Sequence, residues 1–150
     1  LGPNFPRTPL AFLPLGTGND LCRTLGIPLD PIQAARLIKR GRSRRVDVLA
    51  ADGLDVPYLV NAATGGFSGR VAEEVTPELK RAWGPLAYLR GAAAPAADPP
   101  TYRVTLALDG RPPEPHDLLN LVVANGRTAG GGLLVAPTAN PEDGRLDVVG

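Results

Sequence analysis

Leu10-Ala11-Phe12-Leu13-Pro14-Leu15-Gly16-Thr17-Gly18-Asn19-Asp20 is a short apolar run that ends in a glycine turn. Leu21 to Leu25 then has helical character until Gly26-Ile27-Pro28 stops it. The order predicts a strand, a glycine turn and a helix. Asp30-Pro31 opens a second helix, with Asp30 as N-cap and Pro31 in the first helical position. Its apolar positions Ile32, Ala35 and Leu37/Ile38 keep helical spacing up to Gly41. This opening stretch has an α/β pattern.

Beyond Arg44-Arg45 the period shortens. Val46–Ala50 and Tyr58–Ala62 read as two strands joined through Asp52-Gly53. Thr76-Pro77-Glu78 opens a helix running to about Arg90, with Leu79, Ala82, Trp83, Leu86 and Leu89 on one stripe. Ala92–Pro100 reads as an Ala/Pro linker. Further strands are expected at Tyr102–Leu108, Leu118–Ala124, Leu133–Ala136 and Leu146–Val149. The expected class is α+β, with a boundary near Ser43–Val46. Residues 1–45 are expected to be the remnant of an α/β domain, and residues 46–150 a mainly β domain carrying one long helix.

The chain has 150 residues and a net charge of +1, so no global field draws it to nucleic acid or an acidic surface. Fourteen arginines stand against two lysines, a bias that resembles GC-rich coding. Cys22 and His116 are each alone, which excludes an internal disulfide and His-pair metal sites and argues against a cysteine-based zinc site. No run of about 18 apolar residues occurs, so no spanning helix is expected and a cytoplasmic protein is the expectation. The chain begins at Leu1 and stops at Gly150 directly after an apolar run, as expected of an internal piece of a longer protein.

Four clusters can carry chemistry. In the first, Gly16 and Gly18 let backbone approach a phosphate, Thr17 and Asn19 add polar groups, and Asp20 can hold a cation or polarise a nucleophile. Taken alone, the segment is also an ordinary turn with Asn19 or Asp20 as N-cap. The second is Asn61-Ala62-Ala63-Thr64-Gly65-Gly66-Phe67-Ser68-Gly69, glycine-rich at a strand end, and the third is Asn125-Gly126-Arg127 leading to Gly130-Gly131-Gly132. The fourth is Asn140–Asp147, where Asp143 and neighbouring turn carbonyls suit a hard cation.

Together these segments resemble a family. Leu13–Asp20 followed by Thr24-Leu25-Gly26-Ile27-Pro28 is similar to the segment "LPLGTxNDxxxxLGIP" of bacterial diacylglycerol-kinase-like lipid kinases. Asn61–Gly66, Thr76–Lys80, Gly84–Tyr88, Asn125-Gly126-Arg127 and Asp143–Asp147 resemble the YegS-type members in particular. The resemblance implies an α/β ATP-binding domain, a β-sandwich domain and ATP in the cleft between them. It implies transfer of the γ-phosphoryl group of Mg-ATP to a lipid hydroxyl, diacylglycerol-like or phosphatidylglycerol-like, in phospholipid biosynthesis. Gly16, Thr17, Gly18 and Asn19 would contact the nucleotide, and Asp20 would be the carboxylate beside the phosphates. Asp143, with the carbonyls of Asn140 and Arg145, would hold Mg2+. The implied partners are ATP and a lipid at the membrane surface, with a homodimer as a further expectation.

The family's "GGDGT" phosphate loop does not occur before Leu10, and its "DGE" base motif would follow the Asp143 region. This 150-residue piece alone is therefore expected to be inactive. Leu108-Asp109-Gly110-Arg111 has Arg111 where Glu would be needed and reads as a hairpin turn. The rivals are a related NAD kinase and a non-catalytic nucleotide- or lipid-binding protein that keeps the fold. Lys39–Arg45 reads as a solvated helix end, Cys22 as a small core residue, and His116 as part of a Pro-rich loop.

Overall fold

The computed structural model describes residues 8–53, 57–66 and 101–150. The expected helix at 77–90, the Ala/Pro linker at 92–100 and Phe67–Gly69 lie outside the described residues. Helix α1 spans Asp20–Thr24 and α2 spans Pro31–Lys39. Asp30 caps α2 as its chemistry requires, its carboxylate accepting from the Gln33 backbone N–H at 2.7 Å. Gly41, at φ 66°, turns the chain just beyond the helix.

One expectation about this opening stretch needs correction. Leu10–Leu15 forms no strand, because no other strand offers it a ladder among the described residues. Leu10, Leu13 and Leu15 are exposed, whereas Pro14 is buried. The apolar stripe of α2 is uncovered among the described residues. Ile32 is 65% exposed and only Ala34 is buried, since no described element packs over Ile32, Leu37 and Ile38.

The strands are β1 (Leu49–Ala50), β2 (Tyr58–Leu59), β3 (Ala62–Gly66), β4 (Tyr102–Leu106), β5 (Glu114–Leu118), β6 (Asn120–Ala124), β7 (Thr128–Ala129), β8 (Leu133–Leu134) and β9 (Asp147–Val149). Every described pairing is antiparallel. The largest described sheet has the order β3-β6-β9, and its middle strand is the apolar Asn120-Leu121-Val122-Val123-Ala124. Alternate residues Val122 and Ala124 turn inward, as period-two geometry dictates. They meet Ala136 and Ala139, with Ala62 and Val135 at the margin. A core of such small side chains lets loop backbone lie directly on the sheet. The architecture is α+β and mainly antiparallel.

Several strand boundaries moved. Val46–Val48 leaves the ladder because the Asp47 N–H donates to the Pro141 carbonyl at 2.8 Å instead of to a neighbouring strand. The run expected at Tyr58–Ala62 divides, with β2 pairing β1 and β3 crossing to β6. Gly65 and Gly66 are the last residues of β3, so the glycine-rich segment does stand at a strand end. Only Leu133-Leu134 of the third expected strand pairs, because the N–H groups of Val135 and Ala136 both donate to the Arg127 carbonyl. His116 sits within β5 opposite Val104 and not in a loop. The hairpin reading of Asp109-Gly110 is matched. Both residues have positive φ, 51° and 74°, and the Arg111 N–H donates to the Leu108 carbonyl. No helix among the described residues is long and apolar enough to cross a membrane.

Candidate functional site

The turn between Leu15 and α1 is closed by its own asparagine. Asn19 adopts φ 52°, a left-handed conformation that asparagine tolerates better than most residues. Its side chain folds back, with Oδ1 accepting from the Gly16 N–H at 3.1 Å and Nδ2 donating to the Gly16 carbonyl at 2.7 Å. A Cβ on Gly16 would stand 3.3 Å from that Oδ1. Gly16 and Asn19 thus clip the loop rather than presenting these groups outward. Thr17 projects from the clip, exposed, and its hydroxyl makes no hydrogen bond with the described residues.

Asp20 is held by backbone N–H groups from a distant part of the chain. Its Oδ2 accepts from the Gly131 N–H at 2.8 Å and its Oδ1 from the Gly132 N–H at 2.7 Å. The glycine run can offer these groups because Gly130, Gly131 and Gly132 have φ of 64°, 91° and 106°. Around this contact, the Thr128 hydroxyl donates to the Asp20 carbonyl, the Arg127 N–H to the Thr24 hydroxyl, and Arg23 Nε to the Gly18 carbonyl. Gly18 is so close to the run that a Cβ on it would lie 3.2 Å from the Gly131 Cα. The first and third sequence clusters therefore form one surface.

Two asparagines hold that surface from behind. Asn125, 1% exposed, donates through Nδ2 to the carbonyls of Asp47 and Val60 at 2.9 and 2.8 Å. Asn61 accepts on its backbone carbonyl from the N–H groups of Asn125 and Gly126, and its side chain donates to the Thr128 carbonyl. Both residues stood inside quoted motifs, but no local pattern shows that they bridge segments more than 60 residues apart.

The fourth cluster is an exposed turn. Asp143 Oδ1 accepts from the Arg145 N–H at 3.0 Å, and the Asn140 carbonyl faces the Asp143 N–H at 3.4 Å. Asp47, which sequence reasoning passed over, reaches the same turn through Oδ2, accepting from the Gly144 N–H at 2.7 Å. The nearby donors are carboxylate and carbonyl oxygens, a chemistry that fits a hard cation. The described residues contain no group of three His, Cys, Asp or Glu side chains suited to a metal. Arg127 links the two regions, its Nε donating to the Ala139 carbonyl at 3.0 Å.

Known proteins match this chain along most of its length. A family profile described as "Diacylglycerol kinase catalytic domain" matches residues 2–51. Another, "YegS C-terminal NAD kinase beta sandwich-like domain", matches residues 61–149. A protein named "Probable lipid kinase YegS-like" from Pseudomonas aeruginosa is 38% identical over 144 residues, covering 93% of this chain and 44% of the relative. A Pseudomonas putida protein of the same name is 39% identical over 143 residues, 93% of this chain and 45% of its own. The crystal structure of a diacylglycerol kinase from Bacillus anthracis superposes with a TM-score of 0.66 at 29% identity, covering 93% of this chain and 43% of that one. The chain thus spans less than half the length of these relatives. Because one of those profiles alone accounts for more than half of its residues, the chain belongs to the YegS-type, diacylglycerol-kinase-like family of lipid kinases.

Proposed function

We propose that this chain is part of an ATP-dependent lipid kinase that moves the γ-phosphoryl group of ATP to a lipid hydroxyl. The observation that carries the reading is the joining of the Gly16–Asp20 turn to the Gly130–Gly132 run in a member of this family. Residues 1–45 would be the end of the α/β ATP-binding domain and residues 46–150 the truncated β-sandwich domain. Thr17, whose hydroxyl is bonded to nothing among the described residues, is the side chain best disposed to reach a phosphate. Gly16, Gly18 and Asn19 would shape the loop that carries it, beside Asp20. Transfer in such enzymes rests mainly on positioning and charge neutralisation.

Asp143, with the carbonyls of Asn140 and Arg145, would hold Mg2+, which would supply positive charge and order to the turn. The acceptor would be diacylglycerol-like or phosphatidylglycerol-like, met at a membrane surface by a cytoplasmic enzyme, itself a candidate homodimer. The test uses the full-length protein, radiolabelled ATP and vesicles containing diacylglycerol, phosphatidylglycerol or a sphingoid base, with NAD assayed in parallel. Label in the organic phase, with Asp143→Ala demanding more Mg2+, is the expected result. Label in NAD alone would favour the NAD kinase rival, and no transfer at all a binding protein.

A further inference from the structure

The successive N–H groups of Gly131 and Gly132 converge on one carboxylate, and N–H groups so placed bind anions. In a nucleotide enzyme the expected guest is a phosphate. Here the guest is internal, because the carboxylate of Asp20, 111 and 112 residues away, takes the Gly131 and Gly132 N–H groups, one on each oxygen. Charge-assisted bonds of 2.7–2.8 Å are at the strong end of the range.

We propose that Asp20 is a positioning residue, whose carboxylate clasps the Gly130–Gly132 run onto the Gly16–Asp20 turn and so fixes where Thr17 stands for the nucleotide. The inference rests on the proposed ATP reading, and it assigns Asp20 a role other than touching the reacting atoms. The neighbouring contacts fit a clasp. Thr128 and Thr24 tie the same two segments together on either side of Asp20. Arg23 is pinned to the Gly18 carbonyl, and its guanidinium carbon would lie 3.4 Å from a Cβ on Gly132. A Cβ on Gly18 would stand 3.0 Å from Asp20 Oδ2, so the loop backbone passes directly against the clasp. The two glycine segments are then two halves of one device, since each lacks side chains where the other approaches.

The test is a double-mutant cycle in the full-length protein, with Asp20→Asn breaking the clasp from one side and Gly131→Ala from the other. Asn keeps the shape but turns an N–H2 toward one of the two donors. Alanine at φ 91° is strained and disturbs the run without changing any charge. Each variant is expected to raise KM for ATP about tenfold with kcat within about threefold, and the double variant to be no worse than either, since coupled positions are not additive. Deuterium uptake by the peptide containing Gly131 and Gly132 should quicken about tenfold or more in Asp20→Asn, as amides lose protection when their acceptor is removed. A kcat loss of about a hundredfold at unchanged KM would place Asp20 on the reacting atoms and overturn the proposal. Additive losses, or unchanged uptake, would overturn it as well. The uptake measurement needs no activity, so a wild-type protein that phosphorylates no lipid sinks the kinase reading while the clasp is still decided.

Discussion

Asn61 Oδ1 lies so close beneath Gly126 that a Cβ added to the glycine would stand 2.1 Å from it and 2.9 Å from Thr24 Oγ1. This glycine is required by space and not by an unusual backbone angle. Gly126 is where β3, β6 and α1 come together, because its N–H also donates to the Asn61 carbonyl at 2.8 Å.

Gly126→Ala should therefore destabilise the protein by about 1–3 kcal/mol, the usual cost of forcing an extra methyl into a packed site. Urea denaturation of the purified variant checks this. A midpoint equal to wild type would mean that Asn61 swings aside freely.

Asn125→Ala removes the donor shared by the Asp47 and Val60 carbonyls. Leaving these two part-buried acceptors unsatisfied should cost about 1–3 kcal/mol in all. Thermal unfolding followed by circular dichroism reads it, and a shift of less than a degree would contradict the bridging role.

Thr17→Ala should separate stability from binding. The side chain is exposed and bonded to nothing among the described residues, so unfolding should be unchanged. ATP affinity should fall by about 1–3 kcal/mol if its hydroxyl meets a charged phosphate. Calorimetric titration with a non-hydrolysable ATP analogue gives the answer, and wild-type affinity would remove Thr17 from the site.

Cys22 is buried on α1, and burial pushes its thiol pKa up by penalising the thiolate. The native thiol should react with iodoacetamide far more slowly than the same thiol in urea, since only the thiolate is nucleophilic. The linkage has a definite sign. The native state keeps its proton to higher pH than the unfolded chain, so this group's contribution is full below the ordinary thiol range and is lost as pH rises from there through the raised native pKa. Equal labelling rates with and without urea would show that the site opens readily.

Much of the local structure was legible in the amino-acid sequence, because it depends on neighbours in the chain. Asp30-Pro31 starts α2 through a cap bond spanning three residues, and Asp109-Gly110 makes its turn because both residues accept positive φ. The apolar run at Leu118–Ala124 was legible as a strand, and Asn120–Ala124 of it forms β6. The motifs also singled out Gly16–Asp20 and Gly130–Gly132, two segments that the fold brings into contact.

The tertiary structure decided which groups those segments bind. Nothing near Asp20 in the sequence indicates that its carboxylate is held by Gly131 and Gly132, or that Asn19 turns inward to Gly16. Leu10–Leu15 has strand composition but no ladder among the described residues, and Val46–Val48 gives up its pairing to the turn at Pro141. Hydrogen bonds are directional and short-ranged, so a donor's partner is set by what the fold brings within about 3 Å, not by the residues beside it in the chain.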